Sequence, residues 1–170
     1  MKMSRIWLIA CALALPATPQ AHAAITCTAS NTTINFGSFN VLSGATKAAV
    51  GGMRVTCVSV AVPATTVTYN ISLATSPAQQ MAPPSGPDRV TYQLYLDAGH
   101  SQVWGDGTAG TLTITGTLLV PSNGRARSGR INYYGLITPG GQDVSAASPA
   151  PPPTTYRQTM VVTVTCSPNC

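Results

Sequence analysis

Apolar and polar residues alternate along six separate stretches of this chain, and that period of two is what most limits how it folds. Met53, Val55 and Cys57 alternate with Arg54, Thr56 and Val58; Val67, Tyr69, Ile71 and Leu73 alternate with Thr66, Thr68, Asn70 and Ser72. Val90, Tyr92, Leu94 and Leu96 are set against Thr91, Gln93 and Tyr95, and Leu112 and Ile114 against Thr111, Thr113 and Thr115. Ile131 to Ile137 forms a further run, and Met160, Val162 and Val164 oppose Val161, Thr163 and Thr165 in the last. Short strands around Ile25 and Ile34–Phe36 bring the expected number to seven or eight. Each run buries one face and wets the other, as strands of antiparallel sheets packed face to face do.

The punctuation between the runs agrees. Gly51-Gly52, Pro83-Pro84-Ser85-Gly86-Pro87, Gly105-Asp106-Gly107, Ser122-Asn123-Gly124 and Pro139-Gly140-Gly141 are turn signals. Ser145 to Thr155, with Pro149 and Pro151-Pro152-Pro153, reads as a stiff polar connector inside one domain. A chain of 170 residues with 23 Thr, 15 Gly and 14 Pro, and few strong helix formers, excludes a helical bundle. At 44% apolar and 8% charged it also lacks the charge excess of a disordered chain. The fold class expected is all-β, a β-sandwich.

Met1 to Ala23 has the layout of a secretory signal peptide: Lys2 and Arg5, the apolar run Ile6–Leu15, a break at Pro16, and a small-x-small site at Ala21-His22-Ala23. Leu8-Ile9-Ala10-Cys11 offers a lipoprotein-type alternative, disfavoured because few apolar residues precede Cys11 and the run continues past it. The domain expected is therefore 24–170, with no transmembrane segment. Losing Lys2 and Arg5 leaves seven of the nine cations against four Asp, about +3, a surplus that calls for no nucleic-acid partner. Cys27, Cys57, Cys166 and Cys170 remain, an even number that reads as disulfides in an exported chain, with three pairings open. A four-cysteine metal site is the weaker reading, because histidine is scarce.

Nothing in the pattern points to catalysis or to a cofactor. His100 sits in a turn-like stretch beside Ser101, and adjacent residues do not make a triad. Glu is absent, and Asp88, Asp97, Asp106 and Asp143 are spaced like neither a carboxylate pair nor a calcium loop; Asp97 and Asp106 beside glycines read as turn chemistry. Arg125, Arg127 and Arg130 form the basic cluster, read as a solvated hairpin for want of interleaved aromatics. The sequons Asn31-Thr32-Thr33 and Asn70-Ile71-Ser72 say little in a Thr-rich chain.

The last run closes the chain. In a seven-strand immunoglobulin-like sandwich it falls sixth, so the seventh would be absent and another chain would supply it by β-strand addition. Ile34, Phe36, Met160, Val162 and Val164 are the residues expected to line the groove left open.

Several motifs occur in order: Phe36-Gly37 after the first mature cysteine, Val55-Thr56-Cys57, Tyr92-Gln93-Leu94-Tyr95-Leu96-Asp97, and Trp104-Gly105-Asp106-Gly107. Gly129 to Gln142 and Tyr156, Thr159 and Val161-Val162-Thr163-Val164 complete the series. In that order the chain resembles the spore coat protein U domain family, whose members include subunits of archaic chaperone–usher pili. The resemblance covers essentially the whole mature chain. It implies a secreted, incomplete immunoglobulin-like sandwich with a Cys27–Cys57 disulfide. A periplasmic chaperone would hold it by lending a strand, and an outer-membrane usher would assemble it with other pilus subunits into a surface fibre for adhesion or biofilm. Gln158 departs from the family's tendency to Asp, and the Ser145–Thr155 segment is longer than usual.

Cleavage after Ala23 would leave Ala24, Ile25 and Thr26 ahead of Cys27, a reach of roughly 10 Å, too short for a donor strand. The expected role is then a tip or minor subunit that accepts a strand and cannot give one. Two other readings compete: a coat protein that completes its own fold, and a secreted carbohydrate-binding module using Trp104, Tyr133 and Tyr134. The first predicts solubility without a chaperone, the second retention on glycans.

Overall fold

Alternating patterns fold into alternating strands here. The computed structural model describes residues 25–30, 33–40, 44–60, 63–74, 79–84, 86–140, 142–144 and 156–168. Met1–Ala23, Cys11, the first sequon's Asn31, the Ser145–Thr155 connector and Cys170 lie outside the described residues. The strands are β1 (Ile25–Ala29), β2 (Lys47–Ser59), β3 (Thr65–Leu73), β4 (Gln79–Met81), β5 (Val90–Tyr95), β6 (Ile114–Val120), β7 (Arg127–Ile137) and β8 (Val162–Ser167). No helix occurs among the described residues.

All pairings between these strands are antiparallel. A five-stranded sheet runs in the order β1-β2-β7-β5-β4, and a three-stranded sheet in the order β6-β3-β8. The two pack as an immunoglobulin-like sandwich. Met53, Val55 and Cys57 from β2 and Val90, Tyr92 and Leu94 from β5 meet Val67, Tyr69, Ile71 and Leu73 from β3 and Val120 from β6 in one buried core. The inward set of each strand is the one its alternation predicts, because a period of two leaves all its apolar residues on one face.

Large side chains are accommodated by missing ones. Tyr133 lies over its cross-strand partner Gly51, and Tyr69 over its partner Gly116; a Cβ at either glycine would collide with the phenol ring. The ring covers the backbone that glycine leaves bare, which pins register at both places.

Five expectations need correction. Gly51-Gly52 is no turn but lies within β2, paired with Tyr133 and Asn132 of β7, and Met160 stands ahead of the last strand, which starts at Val162. Ile34 and Phe36 are not in a strand: residues 33–40 carry no ladder, and the chain turns at Gly37, whose φ is 64° and whose N–H donates to Asn35 Oδ1 at 2.8 Å. The strand expected at 111–115 starts at Ile114 and runs on to Val120. Thr111 is held in a tight turn instead, its N–H and Oγ1 both donating to the Thr108 carbonyl, so the ladder cannot begin earlier. The short strand β4 (Gln79–Met81) was not anticipated, because its three residues carry no apolar alternation.

Candidate functional site

The three-stranded sheet is uneven. On β3, Val67 and Ile71 are 0% exposed and Leu73 2%, whereas no residue of β8 is fully buried. Val162, Val164 and Cys166 face inward yet stay half-buried, while Thr163, Thr165 and Ser167 are exposed. Among the described residues β8 pairs with β3 alone. The Ala74 N–H donates to the Val161 carbonyl at 2.9 Å, just before the ladder that matches Leu73 with Val162. Alternation along an antiparallel ladder then sends the N–H and C=O groups of residues 163, 165 and 167 toward β3. Those of Val162 and Val164 point away from β3.

A second apolar group lies elsewhere in the chain. Ile34 and Phe36 lie across Gly135 of β7, where an added Cβ would meet Ile34 Cδ1 at 2.5 Å and Phe36 Cζ at 2.6 Å. Phe36 is buried and meets Tyr92 edge-on at 5.7 Å between centroids. The Tyr92 hydroxyl in turn donates to Met160 Sδ at 2.7 Å, just ahead of β8. Burial first, then the neighbouring Tyr133, pushes the Tyr92 phenol up to about 12. The fold thus gathers Phe36 and Met160 around Tyr92, and Ile34 beside Phe36 over Gly135. Val162 and Val164 continue on β8. Tyr92 is the joint between these parts, whereas its place in the Val90–Leu96 alternation marks it only as inward-facing. Nothing in a period-two pattern reports a contact between a strand and segments outside any ladder.

At its end β8 comes near β1: Cys166 Sγ is 4.0 Å from the Ile25 carbonyl oxygen. Cys27 and Cys57 are register partners on β1 and β2 and form a disulfide. Cys166 is also disulfide-bonded. Of the three pairings open on spacing alone, Cys27–Cys57 is the one that staples neighbouring strands, as the family resemblance implied.

The residues weighed for other chemistry have structural work. Trp104 is 2% exposed, donates its indole N–H to the Ile71 carbonyl at 3.3 Å and packs against Tyr133 at 5.2 Å, bridging the two sheets. Trp104 and Tyr133 are therefore core, and only Tyr134 of the three proposed sugar-binding aromatics faces outward. Asp97 accepts hydrogen bonds from the N–H groups of Gln102 and Ser101 and from the Ser101 hydroxyl, and these hold its carboxyl below the ordinary range, the Gln102 amide most strongly. Asp106 is held low in the same way, chiefly by the Thr108 hydroxyl and amide. Both carboxylates organise turns, and no cluster of metal-ligating residues occurs among the described residues. Asn70, from the second sequon, donates to Thr113 Oγ1 at 2.7 Å. His100 sits at a φ of 56° with its ring edge-on to Tyr95.

One grouping was not legible in sequence. Arg130, from the basic hairpin, is the register partner of Arg54 on β2, and the two share the exposed outer face of the five-stranded sheet. Only strand register brings them together.

The fold is an all-β sandwich stapled by a disulfide, with Trp104 and Tyr133 in the core and Asp97 and Asp106 in turns. The chain belongs to the Spore Coat Protein U domain family, whose model matches residues 13–163. Proteins with this domain are structural components of surface fibres and coats rather than enzymes. No curated protein matches the chain. No helix among the described residues is long and apolar enough to cross a membrane.

Proposed function

We propose that this chain is an exported fibre subunit that accepts a β-strand from another chain along the open edge of β8. The observation that carries the reading is the contrast within one sheet: β3 is closed over by neighbours, while β8 has half-buried valines and, among the described residues, no strand paired on its other side. A donor strand would pair with the backbone groups of Val162 and Val164 and cover the groove lined by Ile34, Phe36, Met160, Val162 and Val164. Completing the burial of Met160 and the two valines adds on the order of 1 kcal/mol each to the ladder's hydrogen bonds. A long, uncovered strand edge also invites uncontrolled association, so a chaperone that occupies it during export fits the same geometry. The partners are then a periplasmic chaperone that lends the first strand, an outer-membrane usher, and neighbouring pilus subunits. The destination is the cell surface, through the periplasm, in adhesion or biofilm.

Position in the fibre follows from the N-terminus. Removal of Met1–Ala23 as a signal peptide leaves Ala24, Ile25 and Thr26 ahead of Cys27, and Ile25 and Thr26 are already committed to the β1–β2 ladder. A subunit so trimmed has nothing to donate and takes a tip or terminating place. The mass of the secreted protein tests this: a start upstream of residue 18 would overturn it.

Expression of the mature chain in a periplasm, alone and with a candidate chaperone, tests the main reading. Soluble protein only in complex with the chaperone is the expected result. A soluble monomer without it would mean a sandwich that completes itself, and the coat-protein reading would replace the fibre subunit.

A further inference from the structure

The outer face of the five-stranded sheet holds an arrangement that packing does not call for. Arg54 and Arg130 are directly opposed across the β2–β7 ladder, both exposed, and like charges in that position repel. No carboxylate meets either guanidinium among the described residues. The pair borders a shallow depression of about 370 Å³ lined by Ser30, Gly52, Met53, Arg54, Arg130 and Asn132. The hollow exists because Gly52, the register partner of Asn132, has no side chain: a Cβ there would stand 3.6 Å from Asn132 Oδ1. Ser30 closes the opposite side, its Oγ accepting the Arg54 N–H at 3.0 Å while its own hydroxyl hydrogen remains to be donated.

Farther along the same face the character changes from cationic to apolar. Tyr134 follows Asn132 on the outer side of β7, opposite Val50, which is 63% exposed, and opposite Tyr95 of β5. Outward residues on one strand are spaced about 7 Å apart, so the guanidinium pair and the Tyr134 ring lie roughly 13 Å apart along one straight row. A lone anion needs only the first part of such a row. Nucleic acid and anionic membranes are held by longer cationic tracts than two arginines supply. A carboxylate joined to a chain of hydroxylated rings uses all of it: a guanidinium fork for the carboxylate, an amide and a hydroxyl for sugar hydroxyls, and an aromatic platform for a ring face.

We propose that Arg54 and Arg130 form a carboxylate-recognition site for an acidic oligosaccharide of the uronic-acid class, with Asn132 and Tyr134 extending it along β7. The site lies on the sheet opposite β8 and does not depend on how the open edge is completed.

The test is calorimetric titration of the mature chain, carried with its chaperone if it requires one, with a short oligogalacturonate and with the same oligomer methyl-esterified. The expected outcome is binding of the acid that weakens with added salt, and at least about tenfold weaker binding of the ester, since a charge-assisted pair is lost. Arg54→Ser and Arg130→Ser should each lower affinity for the acid by about the same factor without lowering thermal stability, because each relieves a like-charge pair. Tyr134→Ala should weaken acid and ester alike. Equal binding of acid and ester overturns the proposal on the unaltered protein, whatever the variants do. So does unchanged affinity in both arginine variants, and so does equal or tighter binding of phosphatidylglycerol vesicles or a single-stranded DNA oligonucleotide.

Discussion

Replacing Cys27 and Cys57 together by alanine removes the bond that ties the edge strand β1 to β2. The two cysteines are 30 residues apart in sequence, so the bond closes a loop of that size in the unfolded chain. In the chain-entropy account a loop of about 30 residues gives roughly 3.6 kcal/mol at 25 °C. That is a large share of the 5–15 kcal/mol that holds a domain of ordinary stability together. Alanine is the right replacement because Cys57 is 0% exposed and its surroundings are apolar, so a hydroxyl there would add a second, unrelated cost. Urea denaturation of parent and double variant, in the same soluble form, is the assay. With a slope of about 2–3 kcal/mol/M for a domain of this size, the midpoint should fall by roughly 1–2 M. Reductant is a poorer perturbation, because Cys166 is disulfide-bonded too and would be reduced along with the staple. A midpoint change below about 0.3 M would refute the reasoning, since it would mean that the loop is already constrained without the bond.

Three further perturbations probe the interior. Trp104→Ala empties the space between Ile71 and Tyr133 and should lower unfolding free energy by about 3–5 kcal/mol, read by chemical denaturation. Gly135→Ala drives a methyl against Ile34 and Phe36 and should destabilise by about 1–3 kcal/mol, with the loss of ordered signals from residues 34–36 visible by nuclear magnetic resonance. The Tyr92 phenol, raised from 10.0 to about 12, favours the folded state fully below its unfolded value and loses that contribution as pH climbs between the two. Titration of phenolate absorbance should therefore find Tyr92→Phe less sensitive than the parent to unfolding across that window.

Much of this architecture is legible because a sandwich strand announces its buried face. Met53 to Cys57, Val67 to Leu73 and Val90 to Leu94 point inward as their alternation requires. The pattern misleads where an apolar pair two residues apart has another use. Ile34 and Phe36 alternate like a strand, yet their side chains fill the space over Gly135 without any ladder. It is also blind in β6, where Leu118 and Leu119 are adjacent: Leu118 packs inward and Leu119 is 58% exposed. The residues proposed to line a groove are individually visible as apolar positions. What joins Phe36 to Met160 is the Tyr92 hydroxyl and ring, a contact between β5 and two segments outside any ladder. The Arg54–Arg130 pair is hidden for a similar reason, since its members belong to different strands and only register opposes them.

Amide hydrogen exchange along β8 tests the central claim most directly. Strand addition predicts that the N–H groups of Val162 and Val164, which face away from β3, exchange rapidly in a labelling pulse given as the mature chain is released from its chaperone. Those of Thr163 and Thr165, bonded toward β3, should be slow. Binding of a chaperone or a donor-strand peptide should then protect Val162 and Val164. Protection of Val162 and Val164 in the freshly released chain, unchanged by any partner, would show the edge already paired and would contradict the account.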